Sequence, residues 1–424
     1  MPMINQDPSE KNTSVGRLKA HVDGPLVVTV MLILAFGLIM LFSASMVGSL
    51  YKSGGSTSFF ITRQILFMAL GVAAIIAMSK INIRRFDRKP WVILTGAISF
   101  FLLVLVLVPS VGIVIQGARR WLPVPLTKST FQPSEYTKIF TVFYMAWYYS
   151  NLRRRRRAGL IFKARPEKQG WVDAWEEIIK PMIPVVLQLM LISLQAHMSA
   201  VIIIILVCAA MMASAGLKFG SWLRGGLVGV GALTALVVLV LTLSAVFPNA
   251  SFTQRWLHVV TRINIFTEDV SVTDDQRWQS EQALIAVGSG GITGVGLGQS
   301  RQKYLYLPEN HNDYIFSILC EEMGIIGGIA LILLFIAFLI AGMVVAIRTT
   351  TIFSRLIVCG YTYLLTLQAF LSVGVNLAVL PPTGISLPFF SYGGTSNLFF
   401  LLGVGLMLSV SKFDNRNFLT EELE

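Results

Sequence analysis

Residues 312–346 read NDYIFSILCEEMGIIGGIALILLFIAFLIAGMVVA, and this stretch decides the class of fold. Apart from a few polar residues it is one apolar run of 35 residues, whereas about 20 apolar residues cross the hydrocarbon core of a bilayer as a helix. We therefore expect a transmembrane helix that tilts, bends or projects beyond the membrane. Gly324, Gly327 and Gly328 are the expected sites of a bend or of close helix packing.

The composition of the whole chain agrees with a membrane protein. Of its 424 residues, 54% are hydrophobic and only 13% are charged, whereas soluble domains carry about 25% charged residues. The net charge of +12 would suit nucleic acid, but the basic residues flank apolar segments, as they do in the cytoplasmic loops of membrane proteins. The sequence contains no nucleic-acid-binding motif. We therefore expect a membrane-embedded protein without a nucleic-acid partner.

Ten apolar runs are long enough to span a bilayer. They cover residues 25–45, 61–79, 91–108, 133–150, 178–194, 198–215, 222–246, 312–346, 355–377 and 397–412. The loops rich in Lys and Arg are 80–90, 151–177, 216–224 and 347–355, and each joins an even-numbered run to the next odd-numbered one. Because such loops stay in the cytoplasm, the sequence predicts an all-α polytopic membrane protein with about ten transmembrane helices and both termini inside.

The predicted organisation is a single transmembrane domain at 25–412 between cytoplasmic tails at 1–24 and 413–424. The larger extracytoplasmic loops are 109–132, 247–311 and 378–396. The longest of them, 247–311, lies between the seventh and eighth helices, and its semi-apolar stretch at 252–266 is predicted to lie along the outer membrane surface. Loops of this length in a compact protein usually carry function.

A polar turn, LPENHNDY at 307–314, lies where the longest outside loop meets the eighth helix. Asn310 or Asn312 could cap that helix. With Asn310 as the N-cap, Asp313 would be the third helical residue, where its carboxylate could simply complement the helix dipole. The functional alternative is a carboxylate held at the membrane surface, able to accept a proton from a substrate hydroxyl. Glu309, four residues earlier, would share a face with Asp313 if the helix starts early enough.

Charged side chains also occur in apolar surroundings at two other places. Glu321 and Glu322 lie within the eighth helix, where a carboxylate marks either function or an ion pair that packs helices together. Glu135 and Lys138, near the start of the fourth helix, are three residues apart and could form an ion pair. Lys138 could instead reach a phosphate group at the outer surface.

Basic and irregular segments complete the predicted outside surface. Arg119 and Arg120, followed by Trp121, break the rule that positive charge stays inside. They could bind a diphosphate through their planar guanidinium groups. Alternatively, they anchor lipid headgroups and have no role in substrate binding. The loop at 380–396 has too many prolines and glycines for a spanning helix, and we expect it to be re-entrant. The glycines between 288 and 298 indicate irregular backbone rather than a nucleotide site, because no Gly-Lys-Ser/Thr follows them.

Five segments together resemble the SEDS family (shape, elongation, division and sporulation), to which FtsW, RodA and SpoVE belong. They occur in the family's order at 117–122, 132–138, 288–300, 307–324 and 381–396. The sequence at 296–303 is closer to the division and sporulation members than to RodA. The chain departs from the family pattern at His197, where an aspartate is common, so we assign no carboxylate role to that loop. Asn312 also replaces the usual threonine.

The resemblance implies an inverting peptidoglycan glycosyltransferase that polymerises lipid II into β-1,4 glycan strands at the outer face of the bacterial plasma membrane, in cell division. It makes Asp313 the catalytic residue. The residues then expected to bind substrate are Arg119, Arg120, Trp121, Lys138, Glu309, His311, Glu321, Thr383 and Ser391. No cofactor is firmly implied, although a divalent cation, Mg²⁺ or Mn²⁺, is an open expectation. The implied partners are lipid II, the lipid-linked glycan chain, a class B penicillin-binding protein that acts as transpeptidase, and other division proteins.

Two rival functions remain open at the level of sequence. A lipid II flippase would share the polytopic fold and the intramembrane charges, although we find no inverted repeat of the kind common in transporters. A noncatalytic scaffold that activates the penicillin-binding protein would tolerate the loss of Asp313.

Overall fold

The computed structural model describes residues 22–53, 55–115, 118–124, 130–161, 165–246, 274–304 and 306–414. The predictions for 252–266, for nearly all of the tail at 1–24, and for the tail beyond residue 414 lie outside these described residues. The same holds for Gly117 at the start of the 117–122 segment.

The described part of the chain forms twelve α-helices and three short strands. The helices are α1 (Gly24–Ser53), α2 (Phe59–Ser79), α3 (Lys89–Leu107), α4 (Pro133–Arg157), α5 (Pro166–Ala174), α6 (Lys180–Leu194), α7 (Met198–Ser214), α8 (Phe219–Val246), α9 (Asp274–Ser289), α10 (Ile315–Arg348), α11 (Ile352–Asn376) and α12 (Gly394–Phe413). The strands are β1 (Ile113–Ile115), β2 (Ala118–Pro123) and β3 (Thr130–Phe131).

Helices occupy the positions of all ten predicted spans. Seven helical segments in the described part are long and apolar enough to cross a membrane: α1, α2, α3, a continuous segment Lys168–Leu194, α10, α11 and α12. The helical polytopic membrane fold is thereby confirmed. The remaining predicted spans correspond to α4, α7 and α8, and α7 is short for a bilayer at 17 residues. The number of crossings and the orientation stay predictions.

Two helices lie in segments that the sequence analysis treated as loops. α5 lies in the predicted loop 151–177 and continues into α6 through a π-helical turn at Trp175–Ile179. α9 lies in the predicted loop 247–311 and packs against α10. Residues 168–174 of α5 form the start of the continuous segment Lys168–Leu194, whereas α9 is too short and polar to register as a membrane span.

A small antiparallel sheet occupies the predicted loop 109–132, in the order β1-β2-β3. The all-α prediction holds for the membrane-spanning part, and this sheet is an addition that the sequence analysis did not foresee. The β-branched run of β1 favours a strand, but three residues are too few to show a convincing alternation.

The long helix α10 bends at Gly324, as predicted. Gly324 has φ 66° and ψ −169°, outside the helical region. The glycine-rich loop before α10 passes directly against this bend, where Val295 N donates to Glu321 O at 3.0 Å and Ile325 N donates to Gly291 O at 3.0 Å. The loop therefore satisfies the backbone groups that the bend releases from the helix.

The start of α10 differs from the prediction. The helix begins at Ile315 with Tyr314 at the N-cap position, so the interpretation of Asn310 or Asn312 as N-cap is wrong. The Asn310 side chain is engaged elsewhere, since its Nδ2 donates to Lys303 O at 3.1 Å. Asp313 therefore lies in the turn before the helix, and it shares no helical face with Glu309, which has a φ of 56°.

Loops that were predicted to lie on the same side of the membrane do meet at the same end of the helix bundle. At one end, Arg154 binds Asp87 at 3.0 Å, and Lys218 binds Asp173 at 2.5 Å. These pairs join the loops 80–90, 151–177 and 216–224. The predicted outside loops meet at the opposite end, around the cavity described next.

Candidate active site

A cavity of about 650 Å³ opens at the end of the bundle where the predicted outside loops meet. Its walls come from the end of α1, the start of α2, the small sheet and the starts of α4 and α7. The turn at 309–313 and the segment at 384–400 close the remaining sides. The cavity therefore draws residues from five separate loops into one space.

Asp313 lies in the wall of this cavity, half-buried. Its carboxylate sits against Gly384, because a Cβ atom placed on Gly384 would lie 3.1 Å from Asp313 Oδ2. Gly384 also has a φ of 70°, a conformation that favours glycine. The two loops can thus approach each other closely enough to hold the carboxylate at the cavity surface.

The segment 387–392 supports the turn that carries Asp313. Ser391 Oγ donates to Asn312 O at 2.6 Å, and Tyr392 N donates to His311 O at 2.8 Å. The ring of His311 packs against Phe60, with 4.4 Å between the centroids. The loop at 380–396 is irregular and largely buried rather than exposed, and its re-entrant path in the membrane stays a prediction.

The predicted ion pair near the start of α4 is present and faces the cavity. Lys138 Nζ lies 2.8 Å from Glu135 Oε2, and the two side chains are only 3% and 5% exposed. Lys138 Nζ also donates to Gln368 Oε1 at 2.7 Å. A buried ion pair is a weak source of stability because both charges lose hydration. Its position in the cavity wall gives it a second use, as a fixed positive charge for an anionic ligand.

Arg120 contributes a second positive charge to the cavity. Its Nε donates to Gln195 O at 3.2 Å, and a terminal nitrogen donates to Ala196 O at 2.5 Å. These bonds hold the tight turn between α6 and α7, where Ala196 has a φ of 54°. Trp121 lies beside Arg120 in the cavity wall.

Comparison with known proteins shows which family and which proteins this chain resembles. The sequence profile of the FtsW/RodA/SpoVE family, described as "Cell cycle protein", matches residues 25–416. This chain belongs to that family. Stage V sporulation protein E of Bacillus subtilis (strain 168) is 34% identical over 93% of this chain and 98% of its own length. A protein of Pseudomonas fluorescens (strain SBW25) named "Probable peptidoglycan glycosyltransferase FtsW" is 30% identical over 95% of this chain and 91% of its own length.

Solved structures share the fold. One, described as "Structural coordination of polymerization and crosslinking by a peptidoglycan synthase complex", contains a chain that is 27% identical with a TM-score of 0.66, covering 92% of this chain and 97% of its own. The rod shape determining protein RodA of Thermus thermophilus is 24% identical with a TM-score of 0.59, covering 93% of this chain and 98% of its own. At that identity the RodA likeness supports the fold alone.

Most of the residues proposed from the FtsW/RodA/SpoVE resemblance converge on the cavity. They are Arg120, Trp121, Lys138, Glu309, His311, Asp313 and Ser391. Arg119, Glu321 and Thr383 do not line it, and their contact with substrate stays a prediction. Arg119 alternates with Arg120 along β2 and so turns to the other side of the sheet, where it reaches Leu107 O at 3.5 Å. Thr383 is buried within the loop, next to the cavity-lining Gly384.

Glu321 has a structural role. It is 1% exposed and accepts hydrogen bonds from Ser300 Oγ and from Arg301 N, the latter at 2.8 Å. The adjacent Glu322 pairs with Lys303 at 3.0 Å, and both of these side chains are fully buried. The two glutamates therefore hold the glycine-rich loop against α10, which is the packing alternative left open by the sequence.

Several residues that line the cavity were not predicted as site residues, among them His197, Arg63 and Gln368. His197 Nδ1 and Ser134 Oγ form a hydrogen bond with a length of 3.0 Å. Arg63 near the start of α2 lies in the cavity wall, and Gln368 binds Lys138 there. Arg63 had a detectable signal, because it is a basic residue at the predicted outside end of a span, where positive charge is uncommon. A glutamine inside an apolar span, such as Gln368, is a similar signal.

Proposed function

We propose that this chain is a peptidoglycan glycosyltransferase that polymerises lipid II, with Asp313 as the catalytic base. The observation that carries the proposal is that Asp313, Lys138 and Arg120, which are far apart in sequence, line one cavity. The relatives named as FtsW glycosyltransferases support the same reaction class.

The chemistry needs one base and one site of positive charge. Lipid II carries its sugar through an α linkage to a polyprenyl diphosphate, and the glycan product is β-1,4-linked, so the displacement inverts the anomeric carbon. The GlcNAc 4-hydroxyl of lipid II attacks that carbon in the growing chain, the bond to the diphosphate breaks, and the hydroxyl proton passes to Asp313. A single inverting step requires no covalent bond to the enzyme.

The leaving diphosphate gains negative charge as its bond to the sugar breaks. Lys138 is held in place by Glu135 and Gln368, and Arg120 is held by two backbone carbonyls. Both cations are thus fixed before the substrate arrives, which is the condition under which they stabilise a developing charge best. The orientation of the donors is supplied by the fold rather than by the substrate.

The expected divalent cation has no dedicated site in the part of the chain that the structure describes. No group of three or more His, Cys, Asp or Glu side chains there could hold a metal ion. Mg²⁺ often binds through one or two carboxylates together with substrate phosphates. The Mg²⁺ or Mn²⁺ requirement stays a prediction, and no step of the reaction is assigned to it.

We extend the proposal to the surroundings of the enzyme. The cavity would face the outside of the bacterial plasma membrane, because the loops rich in Lys and Arg meet at the other end of the bundle. A class B penicillin-binding protein would crosslink the new strands, together with other division proteins. The likeness to a chain of a peptidoglycan synthase complex supports a partner of this kind.

The experiment is polymerisation of purified lipid II by the reconstituted full-length chain, with and without a class B transpeptidase. We expect ladders of glycan strands in gels. A parallel assay in vesicles follows the movement of fluorescent lipid II across the bilayer. Transport without polymer would contradict the proposal and favour a flippase, and neither activity in the presence of a working partner would favour a scaffold.

A further inference from the structure

The turn that carries Asp313 precedes α10, so the helix itself does not fix it. Three consecutive carbonyls in this turn each accept a hydrogen bond from a different donor. His311 O and Asn312 O accept from residues 392 and 391, and Asp313 O accepts from Asn376 Nδ2 at 2.8 Å. The last of these donors, Asn376, is the final residue of α11 and is fully buried.

Asn376 uses its complete hydrogen-bonding capacity. Its Oδ1 accepts from both Ser317 N at 3.1 Å and Ser317 Oγ at 3.0 Å. Its Nδ2 donates to Asp313 O and to Ser372 O, each at 2.8 Å. A side-chain amide offers two donor hydrogens and one oxygen with two lone pairs, so all four positions are filled. Few other side chains could replace it at this position without leaving a buried group unpaired.

These contacts place Asn376 where a helix cap would act. α10 has no hydrogen bond from a capping side chain at its own N-cap residue, Tyr314. Ser317 is the third residue of α10, and its N–H is one of the groups that a capping side chain normally satisfies. Ser317 N–H divides its hydrogen bond between Tyr314 O and Asn376 Oδ1, each at 3.1 Å. Asn376 thus caps this group from α11 and, with the other end of the same amide, holds the carbonyl of Asp313.

We infer that Asn376 is a positioning residue, which caps α10 from a neighbouring helix and thereby fixes the backbone of Asp313 at the cavity. This role rests on the proposed function, in which Asp313 is the base. Displacement of a reacting group by about 1 Å can lower a rate by about 100-fold. A single amide that joins the helix start to the preceding residue limits such displacement.

Asn376→Asp separates the two halves of the role. The aspartate keeps an oxygen to accept from Ser317, and its negative charge suits a helix N-terminus. It loses the amide that donates to Asp313 O. Ser372→Ala is the matched control on α11, since Ser372 is fully buried, its Oγ has no hydrogen-bond partner among the described residues, and its backbone carbonyl remains available to Asn376.

The test measures lipid II polymerisation and amide hydrogen exchange of peptides covering residues 306–320. For Asn376→Asp we expect kcat to fall by about 10- to 100-fold with little change in KM and faster exchange at 311–314. The melting temperature should also fall, because the new carboxylate is buried and one of its oxygens faces the carbonyls of Asp313 and Ser372. Ser372→Ala should match the wild type in every measurement. An Asn376→Asp protein that keeps full kcat, or that changes KM alone, would overturn the inference.

Two further outcomes are also decisive. If Asn376→Asp and Asn376→Ala both fail to fold while Ser372→Ala folds, Asn376 is a general structural residue and the inference fails. If the wild type makes no polymer, the proposed function fails, and hydrogen exchange still reports on Asn376. Unchanged exchange at 311–314 in Asn376→Asp would then refute the positioning role by itself.

Discussion

Gly384 sets how closely the loop after α11 approaches the carboxylate of Asp313. Sequence alone marked that loop as irregular, because its prolines and glycines exclude a spanning helix. It gave no means of pairing Gly384 with Asp313, which are 71 positions apart in the sequence. Such pairings depend on tertiary structure rather than on local pattern.

Gly384→Ala should therefore damage activity more than stability. The added Cβ would meet Asp313 Oδ2 at 3.1 Å and would occupy a backbone with φ 70°. We expect a loss of polymerisation by about tenfold or more, since small displacements of a catalytic group have large effects. Gly216→Ala is the matched control, because Gly216 has φ 71° and no atom within 4 Å of the added Cβ. Equal activity of both variants, measured in the glycan assay, would contradict this reading.

The ion pair between Lys138 and Glu135 shows how a sequence spacing can predict a contact. Residues three apart on a helix are neighbours, and the pair was expected on that ground alone. Its burial and its contact with Gln368 could not be read from the spacing, because they depend on the packing of α4 against α11.

Removal of Lys138 alone should destabilise the protein more than removal of both charges. Lys138→Met leaves Glu135 as a buried, unpaired carboxylate, at a cost of about 3–5 kcal/mol. The double variant Glu135→Gln with Lys138→Met lacks that charge, so its melting temperature should be higher than that of the single variant. Both variants should fail to polymerise lipid II, because neither offers the diphosphate a cation at this position. A single variant as stable as the double one would show that the pair is not coupled.

Some residues of the candidate site can be predicted from the sequence alone, and others cannot. The polar residues of the 307–314 turn were found because they interrupt an apolar run, and Glu309, His311 and Asp313 do line the cavity. Arg119 and Arg120 could not be separated without the strand direction of β2. Glu321 looked equally suited to function and to packing. Its hydrogen bond from Arg301 N gives it a packing contact with the glycine-rich loop, and its contact with substrate stays a prediction.

At the scale of elements, the lengths of the apolar runs predicted where the helices lie. They did not predict the residues at which the helices begin and end. α10 was expected to begin near residue 312 and begins at Ile315, with Tyr314 at the N-cap position. α9 is polar and the strands of the small sheet are short, so neither gives the signal on which membrane-span prediction depends. The bend at Gly324 was expected from its glycine and from the excess length of the segment.

Gly324→Ala should prevent the loop and helix from packing as they do. A Cβ at Gly324 would lie 2.2 Å from Ile292 O and would require a φ of 66°. Because the nearest atoms belong to the backbone of Ile292 and Gly294, the clash cannot be relieved by a side-chain rotation. We expect a large fall in melting temperature or a loss of folded protein in detergent. Gly226→Ala, whose Cβ would meet no atom within 4 Å, should leave stability unchanged or slightly raised, and comparable stability of the two variants would refute the argument.

At the scale of the whole molecule, the sorting of loops by charge anticipated which loops meet. The loops rich in Lys and Arg are joined by ion pairs at one end, and the poorer loops build the cavity at the other. At the end of the bundle that carries the ion pairs, hydrogen bonds also hold the residue that follows α12. Asp414 accepts hydrogen bonds from Arg84, from Thr350 N at 3.1 Å and from Thr351 Oγ1 at 2.6 Å.

The stabilisation that the hydrogen bonds of Asp414 provide should depend on pH. Burial by itself would raise the pKa of Asp414, but the hydrogen bonds from Arg84 and from the threonines outweigh it and hold the pKa below its usual value. The stabilisation is therefore complete above the unfolded-state pKa of about 4 and is lost as the pH falls through the lower folded-state pKa.

Asp414→Asn should lower the melting temperature at pH 7, and the difference from the wild type should shrink as the pH falls below about 4. Thermal unfolding of the purified protein across pH measures this directly. A difference that stays constant with pH, or no difference at pH 7, would show that the ionised carboxylate is not what stabilises this end of the bundle.

The most direct test of the whole account compares Asp313→Asn with the wild type in lipid II polymerisation, each reconstituted with the transpeptidase partner. The asparagine keeps the size of the side chain but cannot accept the hydroxyl proton at neutral pH. We predict glycan ladders from the wild type and none from the variant, with equal melting temperatures and equal binding of the partner. Ladders of equal length and rate from both proteins would remove Asp313 from the reaction and contradict the assignment of this cavity as the active site.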